Sequence, residues 1–241
     1  MSASLYGKKS VVTGASTGIG REISLILSRE GAEVALVGRR RDKLEETKTM
    51  ITNSGGKAEV FVADLRTDAS AVGKKILESF TAVDIIVNVA GVWHNDEKAY
   101  HGPMIWELSD EEILEVMQVG IIAPMLMTKT LLPPMVAKKT GKVLNISGTF
   151  ENGAAGWLHY YISKKAIEEF TVGLSQELRS HKIQVNAISP SDTCTEAYQR
   201  FYPDEPVDTL MDPKDIARLT LELLKDDLDF ITGQTIIARK A

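Results

Sequence analysis

The stretch VVTGASTGIGREI, residues 11–23, places a glycine-rich turn between a run of β-branched residues and the start of a helical pattern. Its glycines at positions 14, 18 and 20 follow the spacing G-x-x-x-G-x-G. Glycines allow the backbone to turn sharply and to approach a pyrophosphate closely, and the N-terminus of the following helix offers free N–H groups. Such a turn carries little weight alone, but directly after a first strand it indicates a dinucleotide-binding loop.

From this loop to the end of the chain, short apolar runs alternate with longer stretches in which apolar residues recur about every 3.6 positions. The seven runs that read as strands are 9–14, 32–38, 58–64, 83–91, 141–147, 183–189 and 233–238. Nearly continuous apolar strands alternating with helices indicate a parallel sheet that is covered on both faces. We therefore predict an α/β fold with one domain over residues 1–241. Its core would be a Rossmann-type, doubly wound sheet of seven mainly parallel strands with helices on both faces.

Composition and charge narrow the class of protein. The 241 residues are 44% hydrophobic, which lets one domain bury a large core without disulfides or metals. The single cysteine, Cys194, excludes an intramolecular disulfide and fits a reducing compartment. A net charge of −5 without a basic stripe argues against nucleic-acid binding. We see no signal segment, no apolar run of about 18 residues and no metal-ligand spacing, so we expect a cytoplasmic protein without a membrane or metal partner.

Four motifs, in order along the chain, resemble those of the short-chain dehydrogenase/reductase family. They are T-G-A-S-T-G-I-G at 13–20, N-V-A-G at 88–91, Y-Y-I-S-K at 160–164 and N-A-I-S-P at 186–190. The end of the chain, FITGQTIIARKA, resembles the family's last strand but lacks its usual Asp-Gly-Gly close. The resemblance implies an enzyme that binds NAD(H) or NADP(H), acts on a small carbonyl or alcohol, and assembles as a homodimer or homotetramer.

The resemblance also implies which residues bind the cofactor. The positions that match the family's cofactor-binding residues are Gly14, Ser16, Thr17, Gly18, Ile19, Asp64, Leu65, Asn88, Ala90, Gly91, Tyr160, Lys164, Pro190 and Thr193. Asp64 would lie near the adenine, and the segment that contains Asn88 and Gly91 would support the ribose and the sheet. For Asn88 the alternative is a structural role, in which its side chain ties neighbouring strands together.

The end of the second predicted strand, EVALVGRRRDKL at 33–44, bears on the choice of cofactor. An acidic residue there would accept a hydrogen bond from the ribose 2′-hydroxyl of NAD, whereas an arginine would pair with the 2′-phosphate of NADP. Gly38 stands where the acid would lie, and three arginines follow it. We therefore predict NADP(H), with Arg39 as the first candidate for the 2′-phosphate and Arg40 as the second. The alternative is a solvated basic start to the next helix.

The segment LHYYISKKAI contains two overlapping copies of one pattern. Tyr160 and Lys164 are four residues apart, as are Tyr161 and Lys165, so either pair would share one face of a helix. The family pattern places a serine directly before the lysine, which holds for Lys164 and selects Tyr160. A phenol titrates near ~10, and a neighbouring ammonium lowers that pKa. The resemblance implies Tyr160 as the acid/base, with Lys164 as its support and as a ligand of the nicotinamide ribose.

The family's usual catalytic serine is altered. Its position corresponds to Gly148, while Ser147 lies one residue early and keeps the usual interval of thirteen residues to Tyr160. Because neighbouring strand residues point to opposite faces, the alternation argues against Ser147. Three readings therefore remain open, namely Ser147 as the catalytic hydroxyl, Thr149 in its place, or no hydroxyl at all.

An asparagine and a glycine of the family pattern are replaced as well. The asparagine position, in a predicted long helix at about 109–138, is Gly120. In the family the backbone carbonyl at this position holds a relay water through a kinked helix, and a glycine retains the carbonyl and permits the kink. Ser191 stands in the segment SPSDTCT where the family usually has glycine. Cys194 in that segment either lines the pocket or is a buried thiol.

An insertion after N-V-A-G, WHNDEKAYHGPMIWELS at 93–109, is expected to sit above the nicotinamide. The candidate pocket residues from this region and from the loop before the tyrosine motif are Trp93, His94, His101 and Trp157. His94 or His159 could assist proton transfer, because histidine titrates near neutral pH, or each could be a surface residue without a role. The lid between Thr195 and Met211 is short, which favours an open pocket.

These features favour an NADP(H)-dependent oxidoreductase that interconverts a carbonyl and an alcohol by hydride transfer, with Tyr160 exchanging the proton and Lys164 supporting it. Two alternatives remain. One is a dehydratase or epimerase of the same family. The other is a catalytically weakened nucleotide-binding protein that acts as a sensor or partner, which the altered positions 120, 148 and 191 would favour.

Overall fold

The computed structural model describes residues 4–150 and 153–240, in which seven strands form one parallel sheet. The strands are β1 (Lys9–Thr13), β2 (Glu33–Gly38), β3 (Lys57–Val62), β4 (Ile85–Asn88), β5 (Gly141–Ile146), β6 (Ile183–Pro190) and β7 (Thr235–Ala238). Their order across the sheet is β3-β2-β1-β4-β5-β6-β7, and every neighbouring pair is parallel. In the centre, Val11 of β1 stands opposite Ala35 on one side and Ile86 on the other. The predicted Rossmann-type fold is confirmed, with all seven strands parallel.

Helices cover both faces of this sheet. They are α1 (Gly18–Arg29), α2 (Arg41–Asn53), α3 (Ala69–Phe80), α4 (Asp110–Met117), α5 (Ala123–Lys138), α6 (Leu158–Leu178), α7 (Glu196–Phe201) and α8 (Pro213–Leu224). Apolar residues of α1, α2 and α8 pack on one face, among them Ile23, Leu44 and Ile216, whereas α3, α5 and α6 pack on the other. Burial on both faces explains why the strands read as continuous apolar runs, since β5 is buried along its whole length.

The predicted long helix at about 109–138 is interrupted once. Ser109 caps the start of α4, because its hydroxyl accepts from the Glu112 N–H and the Glu112 carboxylate accepts from the Ser109 N–H. Between α4 and α5 the residues Gln118–Ile122 form a π-helical turn, the kind of irregularity that bends a helix. The stretch Asp110–Lys138 is long and apolar enough to cross a membrane by length and composition, but half of its most apolar window is buried within the fold, as in a core helix.

Three longer segments lie above the edge of the sheet at which the strands end. They are the insertion at 93–109, the described parts of the connection between β5 and α6 (147–150 and 153–157), and the lid at 195–211. Backbone bonds close the base of the lid, because the Cys194 N–H donates to the Met211 carbonyl and the Met211 N–H donates to the Asp192 carbonyl, each at 2.9 Å. Below these segments the strand order reverses between β1 and β4, and doubly wound sheets bind their ligands at that point.

Candidate active site

A cavity of about 830 Å³ opens at this edge of the sheet, beside the lid. The residues singled out from the sequence that line it are Ile19, Gly91, Trp93, His101, Ser147, Gly148, Thr149, Trp157, Tyr160, Lys164, Pro190, Ser191 and Thr193. Its volume is in the range of sites that hold small molecules and cofactors. The wall does not include His94, which packs against Phe201, or His159, which is 2% exposed beside Tyr100. Burial lowers the pKa of both histidines.

The glycine-rich loop packs closely against the residues that follow β4. Gly14 and Gly18 have φ angles of +67° and +53°, a region that glycine enters at little cost. A Cβ on Gly14 would lie 3.2 Å from the backbone of Ala90, and one on Gly20 would lie 2.2 Å from the Gly14 carbonyl oxygen. The Thr13 hydroxyl accepts from the N–H groups of Ala90, at 3.1 Å, and of the residue before it, at 3.0 Å. Glycine at positions 14 and 20 therefore allows this close backbone packing, which a side chain would disrupt.

The start of α1 offers the hydrogen-bond donors that a pyrophosphate requires. Thr17 is its N-cap residue but makes no side-chain capping bond, so the first N–H groups of the helix remain for another acceptor. The Gly18 N–H donates at 3.0 Å to the carboxylate of Glu196, which shows that an anionic group fits at this helix end. Ser16 and Ile19 flank the same position in the chain. These residues therefore fit the pyrophosphate of a dinucleotide.

Two arginines that follow β2 have different partners. The Arg40 Nη2 donates to the Thr17 hydroxyl at 3.1 Å, which places this guanidinium beside the glycine-rich loop. Arg39 has a side chain that is 55% exposed, and its Nη1 lies 3.9 Å from the Glu115 carboxylate on α4. Gly38, the last residue of β2, has no carboxylate to offer a ribose hydroxyl. Both cations thus directly follow the end of β2, and Arg40 is the one bonded to the glycine-rich loop.

Asp64 forms an ion pair with Arg66, two residues further along the chain. Its carboxylate accepts from the Arg66 Nε at 2.9 Å and the Arg66 Nη2 at 2.5 Å, and these bonds lower the pKa of Asp64 against the opposing effect of partial burial. Arg66 also donates to Glu115 at 3.3 Å, so an ion-pair network occupies the region expected to face the adenine. Leu65 is buried in the core below it, which leaves its backbone as the part available to a ligand.

Asn88 ties elements of the fold together. Its Nδ2 donates to the Asn145 Oδ1 at 2.9 Å and to the Thr128 hydroxyl at 3.1 Å, and the residue is 3% exposed. This arrangement matches the structural alternative for Asn88. Farther along the same segment, a Cβ on Gly91 would lie 3.2 Å from the Lys164 Nζ, so the glycine keeps space open beside the lysine.

Tyr160 and Lys164 lie together on the face of α6 that closes the cavity. Lys164 is 4% exposed, and its Nζ donates to the Ile146 carbonyl at 3.0 Å and lies 5.3 Å from the centre of the Tyr160 ring. Burial lowers the pKa of Lys164 to about 8, against the opposing effect of the Glu168 carboxylate. Burial, and after it the Asp192 carboxylate, raise the pKa of the Tyr160 phenol. The sequence predicted the opposite direction for Tyr160, because the local pattern shows the ammonium but not the burial.

Tyr161 and Lys165 lie on the outer face of the same helix. The Lys165 Nζ bonds the Glu168 carboxylate at 2.8 Å, and 46% of the lysine side chain is exposed. Tyr161 packs edge-on against Phe150, with 5.0 Å between the ring centres. The structure therefore places the first pair, and not the second, in the wall of the 830 Å³ cavity.

The Ser147 hydroxyl is turned toward α6. It lies 2.7 Å from the Glu168 Oε1 and 3.0 Å from the Lys164 carbonyl oxygen, and Ser147 is 3% exposed. A Cβ on Gly148 would make ordinary van der Waals contact with the Lys164 Cγ at 3.8 Å, so position 148 faces the lysine side chain and has room for a hydroxyl. Thr149 lines the cavity as well. A hydroxyl supplied by Ser147 would have to leave Glu168 before it reached a substrate.

Comparison with known proteins decides the family. A sequence model described as short chain dehydrogenase matches residues 8–206. This chain belongs to the short-chain dehydrogenase family. Among relatives, nodulation protein G of Rhizobium sp. (strain N33) is 30% identical over an alignment of 246 residues including gaps. The alignment covers 96% of this chain and 95% of that protein. The uncharacterized oxidoreductase YciK of Escherichia coli (strain K12) is 32% identical over 236 residues, which cover 95% of this chain and 90% of that protein.

Solved structures share the fold of this short-chain dehydrogenase. A protein assigned as an NAD(P)-dependent gluconate 5-dehydrogenase of Beutenbergia cavernae, with NADP bound at low occupancy, has a TM-score of 0.88 at 28% identity and covers 98% of this chain and 97% of its own. A 3-oxoacyl-(acyl-carrier protein) reductase of Brucella melitensis with bound NAD has a TM-score of 0.86 at 27% identity, and the match covers 98% of this chain and 90% of the reductase. Proteins with this fold thus bind either cofactor.

The altered asparagine position of this short-chain dehydrogenase has a steric explanation. Gly120 lies in the π-helical turn, and a Cβ there would approach the Ser163 Cβ to 2.8 Å and its Oγ to 2.9 Å. Ser163 is fully buried and donates to the Tyr160 carbonyl at 2.7 Å. Any side chain at position 120 would therefore push the turn away from the helix that carries Tyr160 and Lys164. The turn itself is a backbone irregularity of the kind that bends a helix.

The short-chain dehydrogenase also has an aromatic wall that its motifs do not reveal. Tyr198 and Tyr202 of the lid line the cavity, with ring centres 6.3 and 6.2 Å from that of Trp93. Trp93 also lies 6.5 Å from Trp157, so the insertion, the lid and the start of α6 meet around it. Asp192, likewise missed, lines the same cavity. Tyr198 and Tyr202 could have been found from the sequence, because residues four apart lie on one face of a helix. The short lid thus covers one side of a pocket that the sequence predicted to be open.

Proposed function

We propose that this short-chain dehydrogenase is an NADP(H)-dependent oxidoreductase that interconverts a carbonyl and an alcohol. The observation that carries the proposal is the pair of partly buried Tyr160 and buried Lys164 in the wall of a cavity that also reaches Ile19 of the glycine-rich loop. When bound, the nicotinamide would supply or accept the hydride. The chain itself must then manage one proton at the substrate oxygen and hold both reactants beside that proton.

Tyr160 exchanges the proton with the substrate oxygen. Because burial and Asp192 raise its pKa, the phenol is protonated at neutral pH and can donate to a carbonyl oxygen as that oxygen gains negative charge. The nearby ammonium of Lys164 stabilises the phenolate that is left behind. In the reverse direction the phenolate accepts the proton of an alcohol.

Lys164 has a second task in the proposal. One of its three N–H donors is used by the Ile146 carbonyl, and the remaining two are available to the ribose hydroxyls of the nicotinamide half. The space beside Gly91 supports this role, since a side chain at position 91 would crowd the ammonium. Lys164 would therefore both hold the cofactor and assist Tyr160.

The preference for NADP(H) rests on the end of β2. Gly38 offers no carboxylate, and Arg39 and Arg40 supply two guanidinium groups directly after it, one bonded to the Thr17 hydroxyl and one near Glu115. The Beutenbergia protein with bound NADP supports this preference, whereas the Brucella reductase with bound NAD shows that family membership alone does not decide it.

Binding of NADPH and NADH to arginine variants tests the preference. A charge-assisted hydrogen bond contributes ~1.5–3 kcal/mol, so Arg39→Ala or Arg40→Ala should weaken NADPH binding roughly 10- to 150-fold and barely affect NADH. Arg41→Ala removes the same charge one residue further along and is the matched control, for which little change is expected. Equal losses for the two cofactors in both variants would contradict the assignment.

A nucleotide-binding sensor is the second candidate, and one observation favours it. The Ser147 hydroxyl is bonded to Glu168, so it is not placed to donate to a substrate oxygen. A panel of aldehydes and ketones, followed by NADPH oxidation in the wild type and in Tyr160→Phe, separates the candidates. Turnover that depends on Tyr160 supports the oxidoreductase. Tight NADPH binding with no turnover of any compound supports the sensor, and turnover without net NADPH oxidation supports a dehydratase or epimerase.

We also propose a cytoplasmic, single-domain protein that forms homodimers or homotetramers, as the family resemblance implies. Exposed apolar side chains on the α4–α5 stretch and on α6, such as Leu114, Met125 and Ile162, suit contact with a second subunit. Light scattering at micromolar concentration should give a multiple of the 26.4 kDa chain mass. A monomeric mass would contradict the association.

A further inference from the structure

We propose that Glu196 of the lid occupies the place of the cofactor's pyrophosphate while no dinucleotide is bound, so that cofactor binding must displace the start of α7. The proposal rests on the dinucleotide-binding function proposed above. It makes Glu196 a residue that sets cofactor affinity. It also couples the cofactor site to the lid tyrosines that line the substrate cavity.

The contact itself joins two segments that are far apart in the chain. The Glu196 Oε2 accepts from the Gly18 N–H at 3.0 Å, across 178 positions of sequence. The Glu196 Oε1 accepts from the Arg21 Nη1 at 2.9 Å. Arg21 is itself held in place, because its Nη2 donates to the Ser16 carbonyl at 2.7 Å and 14% of its side chain is exposed. One carboxylate thus bonds the helix N–H and an arginine of the glycine-rich segment at the same time.

A carboxylate at this position resembles the group that the loop is built to receive. The N-terminus of a helix after a glycine-rich turn attracts anions through its free N–H groups and its dipole. A pyrophosphate and the Glu196 carboxylate would compete for the same Gly18 N–H, and their like charges would repel each other at that separation. The bound dinucleotide and the Glu196 contact therefore exclude each other.

Thr195, next to Glu196 in the chain, links the Glu196 carboxylate to the rest of the lid. Thr195 packs against Gly18, because a Cβ on Gly18 would lie 2.9 Å from the Thr195 Cγ2. Thr195 also caps α7, its hydroxyl accepting from the Tyr198 N–H at 3.2 Å. Movement of Glu196 away from the loop would accordingly shift the turn that carries Tyr198, and with it part of the aromatic wall around Trp93.

Two consequences follow for ligand binding. The cofactor-free protein spends part of the cofactor's binding free energy on release of Glu196, so affinity is lower than the loop alone would allow. The same release moves the start of α7, so Tyr198 and Tyr202 would take their final positions around Trp93 only after the dinucleotide has bound.

Direct binding of NADPH to Glu196→Gln tests the proposal. The amide keeps the size of the side chain but removes its charge. An exposed ion pair contributes up to about 1 kcal/mol, so we expect NADPH to bind about 2- to 5-fold more tightly than to the wild type. Adenosine 2′-monophosphate, which lacks the pyrophosphate, should bind both proteins equally. Asp204→Asn removes another exposed carboxylate of the same lid and is the matched control, with no change expected.

Thermal unfolding without ligand gives a second measurement that does not depend on catalysis. Glu196→Ala removes the contact altogether, so the cofactor-free variant should melt about 1–3 °C below the wild type. With saturating NADPH the gap should close or reverse, because the wild type no longer makes the contact.

The outcomes separate this proposal from the function on which it rests. Equal NADPH affinity in the wild type and in Glu196→Gln, together with a melting gap that persists at saturating NADPH, would overturn the competition by Glu196 and leave the dinucleotide function intact. An absence of NADPH and NADH binding in every variant would instead overturn the proposed function, and this inference with it.

Discussion

Two Tyr–Lys pairs of the same spacing lie one residue apart on α6, and the fold uses them differently. Tyr160 and Lys164 face the cavity, where Lys164 is 4% exposed. Tyr161 and Lys165 lie about 100° around the helix, where 46% of the Lys165 side chain is exposed. Residue type and spacing are the same in both pairs, so position around the helix decides which pair has an environment for chemistry.

Exclusion from water shifts the pKa values of Tyr160 and Lys164, which form the inner pair. Burial lowers the pKa of Lys164 to about 8 and raises that of Tyr160. Glu168 stands between the two faces, since its Oε2 bonds Lys165 at 2.8 Å and its Oε1 lies 2.7 Å from the Ser147 hydroxyl. Ser147 is thereby joined to the outer network, although it lies in the strand end beside the inner pair.

Replacement of the tyrosines should give the largest difference between the faces. Tyr160→Phe removes the proton donor, so kcat should fall roughly 10²- to 10⁴-fold while NADPH binding remains measurable. Tyr161→Phe should leave kcat within about threefold of the wild type, as expected for a packing residue outside the cavity. Steady-state rates and NADPH titrations of both variants would check this. The reverse ranking would show that the outer pair is the catalytic one.

The lysines should follow the same ranking with a smaller loss. Lys164→Met removes a buried positive charge beside Tyr160, so kcat/KM should drop about 10²-fold and NADPH should bind more weakly, whereas Lys165→Met should behave like the wild type. In the wild type, kcat/KM for reduction should decline above a pH of about 8, since Lys164 loses its proton there. Rates measured from pH 6 to about 9.5 would test this, and a flat profile would contradict the assigned role.

Substitutions at Ser147 and Gly148 test which face of α6 the serine hydroxyl serves. Because its hydroxyl is bonded to Glu168, Ser147→Ala should change kcat only a few-fold and cost about 1 kcal/mol of folding stability. Gly148→Ser places a hydroxyl toward Lys164 and should raise kcat, by less than the ~10²-fold that an optimised donor contributes. A loss of 10²-fold or more in Ser147→Ala would instead show that Ser147 turns from Glu168 and serves the substrate.

The last expected effect concerns stability against pH, with no change in the site's chemistry. Lys164 has a pKa of about 8 in the fold and an ordinary value of 10.5, so between these values the unfolded chain binds more protons than the folded one. The free energy of unfolding should therefore rise with pH in this window, by at most about 1.4 kcal/mol per unit from this group, and be independent of Lys164 below it. Urea unfolding at pH 7, 8 and 9 should show the rise in the wild type and Lys165→Met. Its persistence in Lys164→Met would assign it to another group.

Several features could be read from the sequence because they depend on neighbours in the chain. The apolar runs predicted all seven strands, since a parallel sheet buried on both faces requires such runs. The glycine spacing predicted the loop, because positive φ at Gly14 and Gly18 and the tight passage at Gly20 need glycine whatever the distant structure. The serine before Lys164 selected one of two equal pairs, and the structure places that pair at the cavity.

Other features were decided by contacts between distant segments. The direction of the Ser147 hydroxyl depends on Glu168, twenty-one positions away, and the pKa of Tyr160 depends on how α6 is covered. The lid tyrosines matter because the insertion brings Trp93 to them. Local periodicity in the sequence indicates which face of a helix or strand is buried. It does not indicate which distant segment packs against that face. Glu196, seated on the Gly18 N–H across 178 positions, is a contact that the tertiary structure alone could show.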